Sequence, residues 1–251
     1  MRKLIIASIL LLTPLLAAAS SGGGVHLQSA GIDLSDQASL QRGAKYFANY
    51  CMGCHSMQYM RYNRMAEDLG ISETDLRQNL IFNGAKPGEL MTNSMRPEDG
   101  EKWFGTVVPD LTLVARWRSP DWVYTYLKSF YADPDRPYGV NNTVFPNVAM
   151  PHVLQGLQGE QRGVYAEAHA AEGEAGAEAP KVLEGVELVE AGSMSPADYD
   201  VMVRDLVAFL TYAGEPMQLE RKRLGVYVLL FLGVLFILAF ALKKEFWRDV
   251  H

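Results

Sequence analysis

The pentapeptide Cys51-Met52-Gly53-Cys54-His55 constrains this chain more than any other stretch, because it has the C-x-x-C-H pattern that attaches a c-type haem. Two thiols at this spacing can form thioethers with the two vinyl groups of one porphyrin, and the histidine that follows supplies a proximal imidazole ligand to the iron. Cys51 and Cys54 are the only cysteines in the sequence. The motif therefore predicts one covalent haem c, attached to both cysteines and ligated by His55.

Three other kinds of site compete for a C-x-x-C pair. A thiol redox pair is favoured at the start of a helix that follows a strand, whereas here an amphipathic stretch precedes the motif and no βαβ pattern surrounds it. A structural zinc site would need a second ligand pair, and the sequence has no second C-x-x-C. A disulfide would suit an exported chain but gives His55 no role. Haem attachment is the interpretation that uses all three side chains.

The N-terminus has the form of a secretory signal peptide. A basic start leads into an apolar run, residues 4–16, and then into Ala17-Ala18-Ala19 as a cleavage site. An uncleaved anchor is the alternative, but the run is short for a membrane span. We expect residues 1–19 to be a signal peptide and residues 20–34, with three consecutive glycines, to be a flexible lead-in.

A second apolar segment lies near the C-terminus. Residues 224–242 contain no charged side chain, and 19 residues come close to the roughly 20 that cross a bilayer as a helix. Three basic residues flank each side, so the positive-inside rule does not decide the orientation. The signal peptide does: it predicts a single-pass membrane protein in which residues 35–220 are exported and residues 243–251 stay in the cytoplasm.

The negative charge is concentrated in one segment. The whole chain has a formal net charge of −6, and residues 160–190 alone hold eight Glu against Arg162 and Lys181. This charge excludes nucleic acid as a partner and favours a basic soluble protein. Because residues 159–190 are rich in Ala and Glu, we expect an acidic insert made of helix and loop, or disordered.

Helical spacing and capping patterns predict a mainly α domain with long loops. One helix should begin near Ser35 or Asp36 and run to the haem motif, and two others should follow Ser119-Pro120 and Ser195-Pro196, the last ending at Gly214. Gly43 and Phe47 lie on one face, which is either an ordinary core face or a place where a second helix crosses closely. A short helix at 72–82 and a loop at 84–105 complete the prediction.

The loop from Asn141 to Pro151 is the second informative stretch, because a six-coordinate haem needs a distal ligand. Met150 stands between Pro146 and Pro151, which could fix its sulfur in place, although eleven methionines make a chance candidate easy to find. His152 is the next candidate, or simply an exposed imidazole. Arg116 is either a surface charge or a partner for a haem propionate.

Together these residues resemble the cytochrome c1 family, the haem subunit of bacterial cytochrome bc1 complexes. The likeness runs from about Leu40 to the C-terminus, while residues 84–108 and the acidic insert have no close match. It rests on six stretches: Gln41-Arg42-Gly43, Cys51 through Met57, Pro109-Asp110-Leu111 with Ala115-Arg116, Phe145-Pro146 with Ala149-Met150, Leu210 through Pro216, and Arg221 through Gly225.

The resemblance implies a class I cytochrome c-like haem domain with one C-terminal transmembrane helix. It places this helix in the bacterial inner membrane and the haem domain in the periplasm. It implies that His55 and Met150 are the axial ligands, that Cys51 and Cys54 hold the haem, and that Arg116 meets a propionate. The implied role is a one-electron relay from the Rieske iron–sulfur protein to a cytochrome c acceptor, beside cytochrome b in a dimeric complex. Quinol oxidation would lie on cytochrome b, not on this chain.

Three alternatives remain at this point. An anchored cytochrome c could feed a terminal oxidase, but the motif before Leu224 argues against it. A haem peroxidase would need an open distal position, which a stable Met150 ligand would fill. A haem-based sensor would need an output domain, for which the nine residues from Lys243 leave no room.

Overall fold

The computed structural model of this chain describes residues 26–167 and 181–249. The predicted signal peptide, the start of the lead-in, the centre of the acidic insert and the last two residues lie outside this range. The helices are α1 (Gln37–Tyr46), α2 (Tyr62–Asp68), α3 (Glu73–Asn79), α4 (Pro97–Phe104), α5 (Val114–Arg118), α6 (Pro120–Lys128), α7 (Gln155–Gln158), α8 (Pro196–Gly214) and α9 (Gln218–Phe246), and a π-helical turn, Phe47–Cys51, continues α1.

The core is built on the crossing of α1 and α8, and a glycine makes this crossing possible. A Cβ atom on Gly43 would lie 2.1 Å from the backbone oxygen of Asp205 and 2.6 Å from Cβ of Phe209. Next to it, the rings of Phe47 and Phe209 lie 5.7 Å apart, and both are fully buried. Only a residue without a side chain fits between the two backbones. The predicted close crossing at Gly43 and Phe47 is therefore confirmed.

The same crossing contains a buried charge. Asp205 is 3% exposed and accepts hydrogen bonds from Arg42 Nε at 2.6 Å and from Ser39 Oγ at 2.6 Å. A buried carboxylate is costly unless it is paired and hydrogen-bonded, so these two donors on α1 are what allow Asp205 inside α8. The network fixes how α1 is rotated against α8.

Side-chain caps start three helices where the sequence predicts them. The side chains of Asp36, Ser119 and Ser195 accept hydrogen bonds from backbone N–H groups in the first turns of α1, α6 and α8. Such caps satisfy donors that the helix itself leaves without partners. Helix α8 ends at Gly214, as expected.

The predicted loop at 84–105 was wrong in its second half, because α4 occupies Pro97–Phe104. The signals for this helix are present in the sequence: Pro97 stands at its first position, and Glu98 and Asp99 lie in its first turn. Gly105 ends it in a left-handed conformation, with φ at 74°. These are the residues that favour a helix start and a helix end.

The described parts of the acidic insert are two strands of a β-hairpin, and not the helix and loop, or the disorder, that we expected. Strands β5 (Gly159–Glu167) and β6 (Lys181–Ala191) pair antiparallel along their length. The composition that suggested a helix lies mainly in residues 168–180, outside the described range, whereas β6 is rich in Val and Leu, which favour strands.

This hairpin extends a small sheet. Strands β3 (Phe130–Ala132) and β4 (Val140–Asn142) complete a sheet of order β4-β3-β5-β6, in which β3 and β5 pair parallel at Ala132 and Arg162. A separate two-stranded sheet joins β1 (Met57–Arg61) to β2 (Leu90–Met91).

The end of the predicted flexible lead-in is docked on the domain. Gln28 and Ala30 donate backbone hydrogen bonds to the side chains of Thr125 and Asp121 on α6, at 2.9 and 2.8 Å. Arg204 Nε donates to the Ala30 carbonyl at 3.1 Å, and Ala30 is fully buried. The described end of the lead-in is thereby fixed to both α6 and α8.

Helix α9 leaves the domain as an exposed apolar rod. Its 29 residues correspond to about 44 Å of helix, enough to cross a hydrocarbon core of about 30 Å. It is the one helix among the described residues that is long and apolar enough to span a membrane, and none of its residues is buried.

Candidate haem site

A cavity of about 870 Å³ brings together four of the five predicted site residues: Cys51, Cys54, His55 and Met150. Met150 is the only methionine of the described residues that lines it. The remaining lining is mainly apolar and aromatic, and includes Val107, Leu113, Trp122, Tyr126, Phe145, Val148, Leu206 and Leu210. A large apolar cavity with a few polar groups is the usual form of a cofactor site.

The π-helical turn places the two cysteines at this cavity. It ends at Cys51, whose carbonyl accepts hydrogen bonds from the N–H of Cys54 at 3.1 Å and from the N–H of His55 at 2.8 Å. The motif is thus wound into a compact turn. Burial raises the pKa of the Cys51 thiol to about 12, so this side chain is neutral at physiological pH.

His55 has one ring nitrogen free for a metal. Its Nδ1 lies 2.7 Å from the carbonyl oxygen of Pro109, and since a carbonyl can only accept, Nδ1 carries the proton. The lone pair therefore lies on Nε2, as in histidines that bind metals through that atom. Burial lowers the pKa of His55, although the bond to Pro109 and the charge of Asp110 oppose this effect. The ring is therefore a neutral imidazole, which is the form that binds a metal ion.

Two buried asparagines fix the loop that carries Met150. The Oδ1 of Asn142 accepts the N–H groups of Val144 at 2.9 Å and Phe145 at 3.1 Å. The Oδ1 of Asn141 accepts the N–H of Asn147 at 2.8 Å. Side-chain amides used in this way set the course of a loop, as backbone bonds would. Sequence reasoning credited the two prolines and missed these asparagines, although an Asn-Asn pair before a loop is a signal for such turns.

Met150 packs in a small second core with Phe130, Val140 and Val148, and its Sδ lies 3.4 Å from the hydroxyl of Tyr126. His152, the second candidate ligand, is not among the cavity-lining residues. Its ring stacks on Phe130 with centroids 4.7 Å apart, and burial lowers its pKa to about 4. The described structure thus brings the sulfur of Met150, and not the imidazole of His152, to the cavity.

The fifth predicted residue, Arg116, is absent from the cavity lining. Its Nη1 lies 3.3 Å from a carboxylate oxygen of Glu215, and its side chain is mostly exposed. Arg118 lines the cavity instead, with its guanidinium 3.9 Å above the ring of Trp117 and 4.9 Å above that of Trp122. Residues two apart point to different faces of a helix, so a choice between the two arginines needed the orientation of α5.

The donor set fits a c-type haem. The cavity collects two thiols at attachment spacing, one imidazole nitrogen and one thioether sulfur, and its walls are apolar. No group of three or more His, Cys, Asp or Glu side chains that could hold a metal ion by themselves occurs among the described residues. The ligand atoms at this cavity therefore suit an iron whose remaining ligands come from a porphyrin.

Comparison with known proteins gives the same result. The family model described as Cytochrome C1 family matches residues 29–250. A cytochrome c1 of Allochromatium vinosum is 66% identical over 251 residues, 100% of each chain. The ammonia monooxygenase gamma subunit of Nitrosomonas europaea is 45% identical over 231 residues, 90% of each chain. A Bradyrhizobium diazoefficiens protein named cytochrome b/c1 is 26% identical over 249 residues, 86% of this chain and 34% of that protein.

The family match spans the attachment motif, the loop of Met150 and all of α9. Since it covers most of the chain, and one relative is similar over its full length, the chain belongs to the cytochrome c1 family.

Proposed function

We propose that this chain passes single electrons from a Rieske iron–sulfur protein to a cytochrome c acceptor, with His55 and Met150 as the axial ligands of its haem. The observation that carries the proposal is the shared cavity of Cys51, Cys54, His55 and Met150. Family membership confirms the broader predictions: the fold class, the covalent haem c, and the role of a membrane-anchored electron relay within a bc1 complex.

The proposed ligand pair explains why the chain is a relay. The haem iron supplies the change between ferric and ferrous states when it is bound. Nε2 of His55 and Sδ of Met150 would fill the two positions that the porphyrin leaves, so no position would remain for peroxide or oxygen. A methionine ligand raises the reduction potential, which suits an acceptor of electrons from an iron–sulfur protein. The peroxidase alternative is not favoured.

We assign the propionate contact to Arg118 rather than to Arg116. Arg118 lines the cavity and has no ion-pair partner within residues 26–167 and 181–249, whereas Arg116 is paired with Glu215. Two aromatic rings fix the guanidinium plane, which reduces the entropy lost on forming a charge-assisted bond to a carboxylate.

The partners and the orientation are part of the proposal. A relative whose name joins cytochrome b and cytochrome c1 in one protein supports cytochrome b as a neighbour of this chain. The predicted signal peptide favours a periplasmic haem domain and a cytoplasmic end of α9. The resemblance to bc1 complexes supports a dimeric assembly. The relative named as an ammonia monooxygenase subunit makes another assembly the second candidate.

Purification of the tagged full chain from mild-detergent extracts separates these two assemblies. We expect cytochrome b and a Rieske protein to co-purify with it, and quinol to reduce its haem in the preparation. Co-purification of monooxygenase subunits without cytochrome b would contradict the proposed partners.

Potentiometric titration with near-infrared spectra tests the ligand. The full chain should show a ferric iron–sulfur charge-transfer band, and Met150→Leu should lose this band and lower the potential by on the order of a hundred millivolts or more. Met65→Leu is the matched control, because Met65 is buried in α2 and does not line the cavity. If Met150→Leu kept the band, Met150 would not be the ligand.

A further inference from the structure

The hydroxyl of Tyr126 points at the sulfur that we assign to the iron. Tyr126 Oη lies 3.4 Å from Met150 Sδ, and because a thioether has no proton to give, the hydroxyl is the donor. Within residues 26–167 and 181–249, Met150 Sδ is the only hydrogen-bond partner of this hydroxyl. Tyr126 belongs to α6, while Met150 lies in the loop after β4, so the bond joins two separate parts of the fold.

Aromatic packing holds the donor in place. The ring of Tyr126 stacks on Trp122 with centroids 5.0 Å apart and an angle of 9° between the planes. Its other side meets Phe130 edge-on at 5.1 Å. A ring fixed on two sides loses little further freedom when its hydroxyl bonds to sulfur.

The side chain of Asn142 fixes the acceptor, Met150, relative to Tyr126. The Nδ2 of Asn142 donates a hydrogen bond to the carbonyl of Tyr126 at 2.8 Å, while its Oδ1 accepts the N–H of Val144 and of Phe145 in the loop. One buried asparagine thus ties the turn of α6 that carries Tyr126 to the loop that carries Met150. The Tyr126–Met150 distance is therefore a property of the fold and not of two mobile side chains.

The chemistry of sulfur gives this bond a consequence for the haem. A thioether sulfur has two lone pairs, so it can donate one to an iron and accept a hydrogen bond with the other. The hydrogen bond withdraws electron density from the sulfur. Ferric iron depends on donation from its ligands more than ferrous iron does, so weaker donation disfavours the ferric state. The ferrous state is therefore stabilised relative to the ferric state, and the reduction potential rises.

We propose that Tyr126 is a positioning residue that donates a hydrogen bond to Met150 Sδ and thereby raises the reduction potential of the haem. This inference rests on the proposed function, since it takes Met150 as the axial ligand. A tyrosine phenol is protonated at physiological pH and is therefore able to donate.

The test compares two tyrosines on one helix in the full chain. In Tyr126→Phe we expect the equilibrium constant for haem reduction to fall about 3- to 10-fold, which is a potential lower by about 30–60 mV for one electron. The ferric iron–sulfur band should remain, because the sulfur donates more strongly. Tyr124→Phe removes a hydroxyl that contacts Lys128 and does not line the cavity, so it should leave the potential unchanged.

The reduction potentials and spectra of these variants either support or overturn the role of Tyr126. A lower potential in Tyr126→Phe alone, with the band retained, supports the inference. An unchanged or raised potential, an equal fall in Tyr124→Phe, or loss of the band overturns it. If wild-type protein lacked the band, the proposed ligand itself would fail, and this result precedes and is separate from any effect of Tyr126.

A second variant covers the case in which Tyr126→Phe does not yield haem-loaded protein. Site-specific 3-fluorotyrosine at position 126 keeps the ring and its hydroxyl, and its more acidic phenol is a stronger donor. We expect it to raise the potential relative to wild type, and no change would again overturn the inference.

Discussion

At the scale of single residues, the segment after Val108 is hydrogen-bonded to the end of the haem motif and to the residues that follow it. The Pro109 carbonyl accepts from His55, and the N–H of Leu111 donates to the Ser56 carbonyl at 3.0 Å. The Oδ2 of Asp110 accepts a further hydrogen bond from the N–H of Gln58 at 2.7 Å. The orientation of the imidazole is therefore set by backbone atoms, which no side-chain substitution removes directly.

The same scale applies to the two neighbouring arginines. We expect Arg118→Gln to lower the haem reduction potential by on the order of tens of millivolts, because it removes a positive charge that disfavours the more positive ferric state. Redox titration of the full chain measures this shift.

Arg116→Gln is the matched control, since it removes an equal charge two residues away. Its guanidinium pairs with Glu215 outside the cavity, so the potential should stay close to that of wild type. A larger shift in Arg116→Gln than in Arg118→Gln would return the propionate contact to Arg116.

At the scale of elements, the distance between α1 and α8 decides whether residues of α8 can line the cavity. Leu206 and Leu210 of α8 line the cavity, and α1 continues into the turn of Cys51. The two helices can bring these residues together only at the short distance that Gly43 allows. Packing of the core and shape of the haem site thus depend on one contact.

We expect Gly43→Ala to destabilise the folded protein by about 1–3 kcal/mol, because the new methyl group would overlap the Asp205 carbonyl and neither backbone can move freely. Thermal unfolding of the haem-loaded chain in detergent, monitored by circular dichroism, measures the effect.

Gly156→Ala is the control for this substitution. A Cβ on Gly156 meets no atom within 4 Å, and the residue lies in α7, so its unfolding temperature should match wild type. If Gly43→Ala were as stable as wild type, α1 and α8 could move apart without a loss in the free energy of unfolding, and the prediction would be wrong.

Interactions between residues close in sequence could be predicted from the sequence, whereas those between distant segments could not. Asp36, Ser119 and Ser195 act on their own first turns, so their caps were visible in the sequence. The role of Asn142 was not, because its bonds join α6 to a loop through a packing that only the fold creates. Arg118 was missed for a similar reason: the choice of arginine depends on how α5 faces the cavity.

At the scale of the whole molecule, charge is distributed unevenly. Strand β6 presents the exposed carboxylates of Glu184, Glu187 and Glu190 at the edge of the sheet. Arg162 is paired with Glu187 and neutralises only part of this charge. The hairpin is therefore an acidic surface that would attract a basic electron acceptor.

Replacing Glu184, Glu187 and Glu190 together by Gln should slow electron transfer to a basic cytochrome c about 3- to 10-fold at low ionic strength, with the difference disappearing at high salt. Stopped-flow oxidation at a series of salt concentrations measures this. The triple Asp variant keeps the charge and should behave as wild type. An unchanged salt dependence in the Gln variant would rule out the hairpin as a docking surface.

The connection between the haem domain and the membrane helix α9 is short and is held by ion pairs. Only residues 215–217 separate the end of α8 from the start of α9, and Glu215 bonds both Arg116 of α5 and Arg221 of α9. Arg118 of α5 and Leu206 and Leu210 of α8 line the cavity, so we expect a tilt of the anchor to shift these side chains through the two ion pairs of Glu215. The thickness and lateral pressure of the bilayer would then act on the reduction potential of the haem.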